Sequence, residues 1–224
     1  MTQAKDILTS AARVLQDPEF VRWTKPEMLV WLSEAQIAVA RVPGTYTKTE
    51  VVRLKTGDRQ QLPPRAWQLI SVSHNVDEDG TPLGVVRLTT RSLLDSYEPD
   101  WHSMTPRQLV ENYVCDDRSP RDFWVYPPND GEGRVEISYM AIPEKITSET
   151  DEIELDETFD PALLSYVLYR AFSKDSDYAA GLQMATSYFQ AYSQELTNAL
   201  QARGAATPNA ALIPGVANAN GGTE

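Results

Sequence analysis

Soft metal ligands are scarce in these 224 residues, which carry one cysteine, Cys115, and two histidines, His74 and His102. One thiol cannot close an internal disulfide. A zinc centre, which takes about four Cys or His ligands at close spacing, is not expected. No segment approaches the roughly 20 consecutive apolar residues of a membrane-spanning helix. Met1-Thr2-Gln3-Ala4-Lys5-Asp6 lacks the basic start and apolar run of a secretion signal. The chain is therefore expected to fold in a reducing cytoplasm, with no membrane partner. Positive charge is in deficit too: 20 Lys and Arg stand against 32 Asp and Glu, a formal net charge of −12. Lys and Arg are what displace counterions from a phosphate backbone, so generic nucleic-acid binding is disfavoured. Neither a phosphate-cradling glycine loop nor a Gly-x-Ser-x-Gly elbow is present.

The remaining candidates for chemistry are isolated. Cys115 and His102 could form a nucleophile–base pair, but Cys115 falls in an alternating strand pattern that favours a buried structural thiol. Asp77-Glu78-Asp79-Gly80 lacks the spaced ligands of a calcium loop and reads as a solvated turn. With 32 acids, some pair would span any cleft, so no glycosidase-type carboxylate pair stands out. No enzyme, cofactor or metal is expected. Trp101, in Asp100-Trp101-His102, reads as an aromatic plug holding its loop to the core. The acidic run from Glu149 to Glu154 reads as a solvated linker.

What is there is an ordered set of elements. Residues 3–16 predict a helix with Ile7, Leu8, Ala11, Val14 and Leu15 on one stripe. Thr24-Lys25-Pro26-Glu27 predicts a capping box, with Pro26 in the first turn. The helix that follows carries Met28, Leu29, Trp31, Leu32, Ala35, Ile37 and Val39, and stops at Pro43-Gly44. The middle is β-rich. Residues 49–54 and 60–63 predict a hairpin turning through Lys55-Thr56-Gly57-Asp58. Further strands are expected at 69–74, 84–88, 113–115, 123–126 and 135–139, the last two joined by Gly131-Glu132-Gly133, with a short helix at 91–97. Asp160-Pro161 predicts the start of a third long helix, with Asp160 as N-cap. A fourth carries the stripe Tyr178, Leu182, Ala185, Phe189, Tyr192, Leu196, Ala199 at alternating steps of 4 and 3.

This order predicts an α+β fold: a four-helix bundle from the N- and C-terminal helices, an inserted antiparallel β-rich domain and an extended C-terminal tail. The expected divisions are 1–46, 47–158, 159–203 and 204–224. The tail is rich in Ala, Asn, Gly, Pro and Thr around one apolar island, Ala211-Leu212-Ile213-Pro214-Gly215-Val216. Its 21 residues could reach about 70 Å when extended.

Several stretches resemble a known family. The segment from Trp23 to Gln36, the hairpin-like Gly57-Asp58-Arg59-Gln60-Gln61-Leu62-Pro63, Leu94-Asp95, Pro99-Asp100-Trp101-His102 and Phe123-Trp124-Val125-Tyr126-Pro127-Pro128 follow one another as in the tailed-phage head-to-tail adaptor, or connector, proteins. The resemblance spans roughly residues 20–145. It implies a structural virion protein without catalytic residues, in a ring, commonly a dodecamer, beneath the portal. Its other partner would be a tail or nozzle protein, and DNA would pass through the lumen unbound. Another virion part, such as a tail-completion or tail-tube protein, is the alternative; a virion-associated hydrolase is a more distant one. In this setting Ala211, Leu212, Ile213, Pro214 and Val216 are the expected contacts with the portal or a neighbouring subunit.

Overall fold

A computed structural model of the protein describes residues 2–174 and 179–205. Among these residues the fold is α+β. The helices are α1 (Ala4–Leu15), α2 (Lys25–Ala40), α3 (Arg91–Tyr97), α4 (Asp160–Lys174) and α5 (Ala179–Ala205). The strands are β1 (Thr47–Arg53), β2 (Gly57–Gln61), β3 (Ala66–Val76), β4 (Pro82–Val85), β5 (Arg87–Thr89), β6 (Asn112–Cys115), β7 (Asp122–Asn129) and β8 (Arg134–Ala141). The chain divides into two compact units, Met1–Val39 with Glu144–Glu224, and Ala40–Pro143.

In the helical unit, α1 buries Ile7, Leu8, Ala11 and Leu15, while Val14, expected on the same stripe, is exposed. The helix ends on Gln16 in the left-handed region at φ 55°, whose N–H reaches back to the carbonyls of Ala12 and Arg13. The Asp17 carboxylate then collects the N–H groups of Val21, Arg22 and Trp23 at 2.9, 2.8 and 3.0 Å, and so fixes the loop into α2. At the start of α2 only half of the expected capping box forms. Glu27 accepts the Thr24 N–H at 3.3 Å, but the Thr24 hydroxyl also donates to Glu27, at 3.0 Å, instead of capping the helix. Lys174 of α4 donates to the same carboxylate at 2.7 Å. The Trp23 indole N–H donates to the Ala171 carbonyl at 3.1 Å, and Arg170 pairs with Glu34, so α2 and the residue that leads into it are tied to α4 by polar contacts. The Asp160 N-cap is corrected. Asp156 accepts from the Thr158 N–H at 2.9 Å and caps a single 3-10 turn, Glu157–Phe159, which runs directly into α4. Asp160 is already helical and accepts the Thr2 hydroxyl at 2.6 Å.

The acidic run before α4 is not a solvated linker. The Asp151 carbonyl accepts the Ala4 N–H at 2.9 Å, the Glu149 carbonyl the Lys5 N–H at 3.0 Å, and the Thr2 carbonyl the Ile153 N–H at 3.0 Å. Ile146, Ile153 and Leu155 are buried. Its acids alternate with the buried Ile153 and Leu155, and the Asp151 and Glu154 carboxylates accept N–H groups of Thr147, Ser148 and Glu144, which makes the segment a strap on the helical unit. Gln36, wholly buried on α2, donates to the Glu144 carbonyl at 2.9 Å and accepts the Glu154 N–H at 3.0 Å.

The β unit holds two four-stranded sheets, in the orders β1-β8-β3-β4 and β2-β7-β6-β5. All pairings are antiparallel except β5 with β6. Both expected short connections therefore prove to be crossings. β1 pairs with β8 and β2 with β7, so Lys55–Thr56 changes sheet instead of closing a hairpin. Gly131–Gly133 likewise carries the chain from β7 in one sheet to β8 in the other. The reason lies in the side-chain partners. Gln60 accepts the Lys55 N–H at 2.7 Å and donates to the carbonyls of Lys55 and Gly57, satisfying the corner locally. Asn129 accepts the N–H groups of Gly131 and Gly133 and donates to the carbonyls of Arg107 and Gln108. A Cβ at Gly133 would meet the Asn129 amide at 2.2 Å, so this corner needs glycine. Leu69, Val72, Val135, Ile137 and Tyr139 from one sheet and Tyr113, Phe123 and Val125 from the other share one core.

Gln36→Ala is expected to leave the part-buried Glu144 carbonyl and Glu154 N–H without their partner, lowering unfolding free energy by about 1–3 kcal/mol in urea titrations. The carboxyls of Asp17, Glu27 and Asp151 lie below their ordinary values, held there chiefly by the Trp23 N–H, by Lys174 and by the Thr147 N–H respectively. A depressed carboxyl adds stability above its unfolded value of about 4 and loses it as pH falls through the folded one. Burial pushes Asp160 the other way, so its charge opposes folding at neutral pH. Thermal midpoints should thus hold above about pH 5 and drop below about pH 4, and Asp160→Asn should raise the neutral-pH midpoint.

Candidate interaction surfaces

The side chains that could have carried chemistry are engaged singly. The His102 Nδ1 pairs with Asp58, and its ring stacks on Trp101 at 3.7 Å between centroids. His74 faces Glu136 at 3.8 Å. Cys115, expected to be buried, is exposed at the end of β6, although partial desolvation and the nearby Asp117 push its thiol up. Tyr113 and Val114 take the two faces of the strand, and Cys115 lies where the pairing stops. Among the described residues no group of three or more His, Cys, Asp or Glu could hold a metal ion. None of their helices is long and apolar enough to cross a membrane.

Trp101 is fully buried, as its loop position suggests, and its indole N–H donates to Asp95 of α3 at 2.9 Å. With Leu94 and Val114 it makes a second small core on the outer face of the β5–β6–β7 sheet, bordered by Trp124 and Tyr126. That face is thereby covered, and the apolar side chains left on the cap, Leu93 and Tyr97, project outward.

Two exposed apolar surfaces stand out. The first is on α5. Of its expected seam, Ala185 and Tyr192 are buried, but Leu182 and Phe189 are exposed, as is Met184. The aromatic side chains explain the difference. Tyr192 packs on Tyr166 at 5.3 Å, Phe189 on Tyr169 at 5.2 Å, and Tyr188 lies parallel to Phe172 at 5.4 Å. These rings seat α5 on α4 along one side of the seam and leave its other side open. No Asp, Glu, Lys or Arg occurs from Tyr178 to Gln194.

The second is in the β unit. The expected strand 84–88 is broken at Val86, whose N–H turns to the Ser73 carbonyl while its side chain enters the core. β4 and β5 thus end up at the margins of different sheets. Leu83, Val85 and Leu88 are exposed along this break, with Leu109 nearby. Beside it runs a groove of about 730 Å³, lined among others by Gly84, Val85, Arg87, Arg107 and Leu109. Asn75 and Val110 form its floor, where Asn75 donates to the carbonyls of Gly84 and Val110 and accepts the Val110 N–H. Sequence patterning missed this surface. The only signal was a strand with apolar residues at successive positions, Leu83 aside, and a glycine within it.

The contacts expected at Ala211, Leu212, Ile213, Pro214 and Val216 lie outside the described residues. No curated protein matches the chain. A family model described as "SU10 adaptor protein" matches residues 2–212, which takes in both units.

Proposed function

Because the chain belongs to the SU10 adaptor protein family, we propose that it is the head-to-tail adaptor of a tailed phage, a ring that joins the portal to the tail and lets the genome through its lumen. The match over residues 2–212 carries this reading, since it covers the helical unit and the inserted β unit together. A phage adaptor is a structural virion protein and not an enzyme class. The finer assignments are ours: helices α1, α2, α4 and α5 as a four-helix bundle, twelve subunits, a portal above and a tail or nozzle protein below.

The surfaces suit this role. A cyclic ring needs two different patches per subunit, one for each neighbour. Chains of net charge −12 repel one another, so contact should use surface without charge. The exposed side of α5 at Leu182, on the margin of the aromatic contacts with α4, meets that need. The surplus acids suit a lumen that repels phosphate and lets DNA slide; a basic or neutral lumen in the assembled ring would sink that part. The tail, residues 204–224, is the docking arm, with Ala211, Leu212, Ile213, Pro214 and Val216 as its contacts on the portal or a neighbouring subunit.

Purified chain mixed with portal should give capped portals in negative-stain images. Deleting residues 205–224 should abolish the caps while leaving the circular dichroism spectrum and unfolding midpoint nearly unchanged; normal head–tail joining by that variant would refute the docking arm. Leu182→Glu places a charge on an exposed, uncharged side of α5, away from the rings that hold it to α4. It should leave the fold intact and shift the assembled species toward monomers in sedimentation velocity.

A further inference from the structure

Strand β4 has β3 on one side and no strand on the other, so one backbone edge of Pro82–Val85 is open among the described residues. Open edges are normally guarded by charge, by proline, by bulges or by being short. The opposite edge of the same sheet is guarded by charge, because β1 carries Lys48, Glu50 and Arg53. β4 carries no charged residue, and all four of its residues are exposed. Its guards are its four-residue length, Pro82 and the irregular pairing with β3, which leave Leu83–Val85 as an uncharged, exposed edge beside the groove where an extended apolar segment can add.

The chain contains one segment that fits. Residues 204–223 form the longest stretch without Asp, Glu, Lys or Arg. Within it, Pro208 and Pro214 bracket Asn209-Ala210-Ala211-Leu212-Ile213. Proline cannot donate to a ladder, so an added strand is limited to those five residues, a length close to that of Pro82–Val85. Leu212 and Ile213 would fall on opposite faces, one toward Val85 and Leu109 in the groove and the other outward. The groove is lined by Arg87, Arg107 and Glu111, with Arg107 and Glu111 paired at 3.6 Å, and an uncharged segment brings neither a carboxylate against Glu111 nor a cation against the two arginines.

We propose that residues 209–213 of one copy add as a strand to β4 of a neighbouring copy, seating one of Leu212 or Ile213 in the groove beside Val85. This deepens the adaptor reading above and rests on it for the presence of neighbouring copies. It commits the docking arm to a second copy of this chain, not to the portal.

Full-length chains with Cys115→Ser supply a cysteine-free background, because Cys115 is the only cysteine and is exposed. One tagged population carries Val85→Cys and the other Leu212→Cys or Ile213→Cys. They are mixed, with and without portal, and oxidised. A disulfide between the two tags is expected, about tenfold above a Thr49→Cys control on the β1 edge, as befits thiols held at high effective concentration. Adding Leu83→Asp and Leu109→Asp should abolish it without changing the circular dichroism spectrum. Equal trapping at Thr49 and Val85, trapping confined to one chain, or no trapping with portal present overturns the proposal. A photoreactive group at Leu212 that labels only portal overturns it too, yet leaves the adaptor reading standing. Portal attachment surviving deletion of 205–224 would instead strike at the docking arm itself.

Discussion

A peptide group that leaves a sheet or a helix must still find a hydrogen-bond partner, and here buried side-chain carboxamides provide it. Asn129 satisfies four backbone groups where the chain passes from β7 to β8. Gln60 does the same between β1 and β2, and Asn75 ties Gly84 to Val110 between the sheets. Gln36 repeats the device in the helical unit. All four amides are nearly or wholly buried, and each uses both its donor and its acceptor end. An apolar residue of similar size would fill the same space but leave the crossings unsatisfied, at about 1–3 kcal/mol for each stranded group. The strand order, and with it the separation of β4 from β5, depends on these side chains.

Charge decides where such a chain can be touched by its own kind. Acidic residues dominate the surface, and only limited areas escape them. One is the side of α5 at Leu182, on the margin of its aromatic ladder; the other is the break between β4 and β5. Both combine exposed aliphatic or aromatic groups with little or no negative charge. Weak contacts at such places, each opposed by the long-range repulsion of the whole, favour assembly on a template that holds many copies at once.

The elements themselves were legible. The β7 alternation separates Phe123 and Val125, which enter the main core, from Trp124 and Tyr126, which border the second. Trp101 announced its own burial as a lone aromatic in a polar loop. Which strands pair was not legible, because a turn sequence such as Lys55-Thr56-Gly57 specifies a change of direction and not the partner beyond it. The buried role of Gln36, Gln60, Asn75 and Asn129 was also hidden, since hydropathy counts a carboxamide as surface whether or not its hydrogen bonds are met inside. The strap was misread for a related reason: its acids alternate with Ile153 and Leu155, and the charges masked the apolar set. On α5 the heptad-like seam was real, but spacing alone cannot tell a seam buried across its full width from one seated on one side.

Gln36 sits four residues before the β unit begins at Ala40, and its amide grips the carbonyl of Glu144, the first residue after the chain returns. The doorway and the exit of the inserted unit are thereby pinned within one side chain of each other, by a bond internal to the helices. The ends of the inserted segment are thus set by the helical unit itself, whatever strands lie between them.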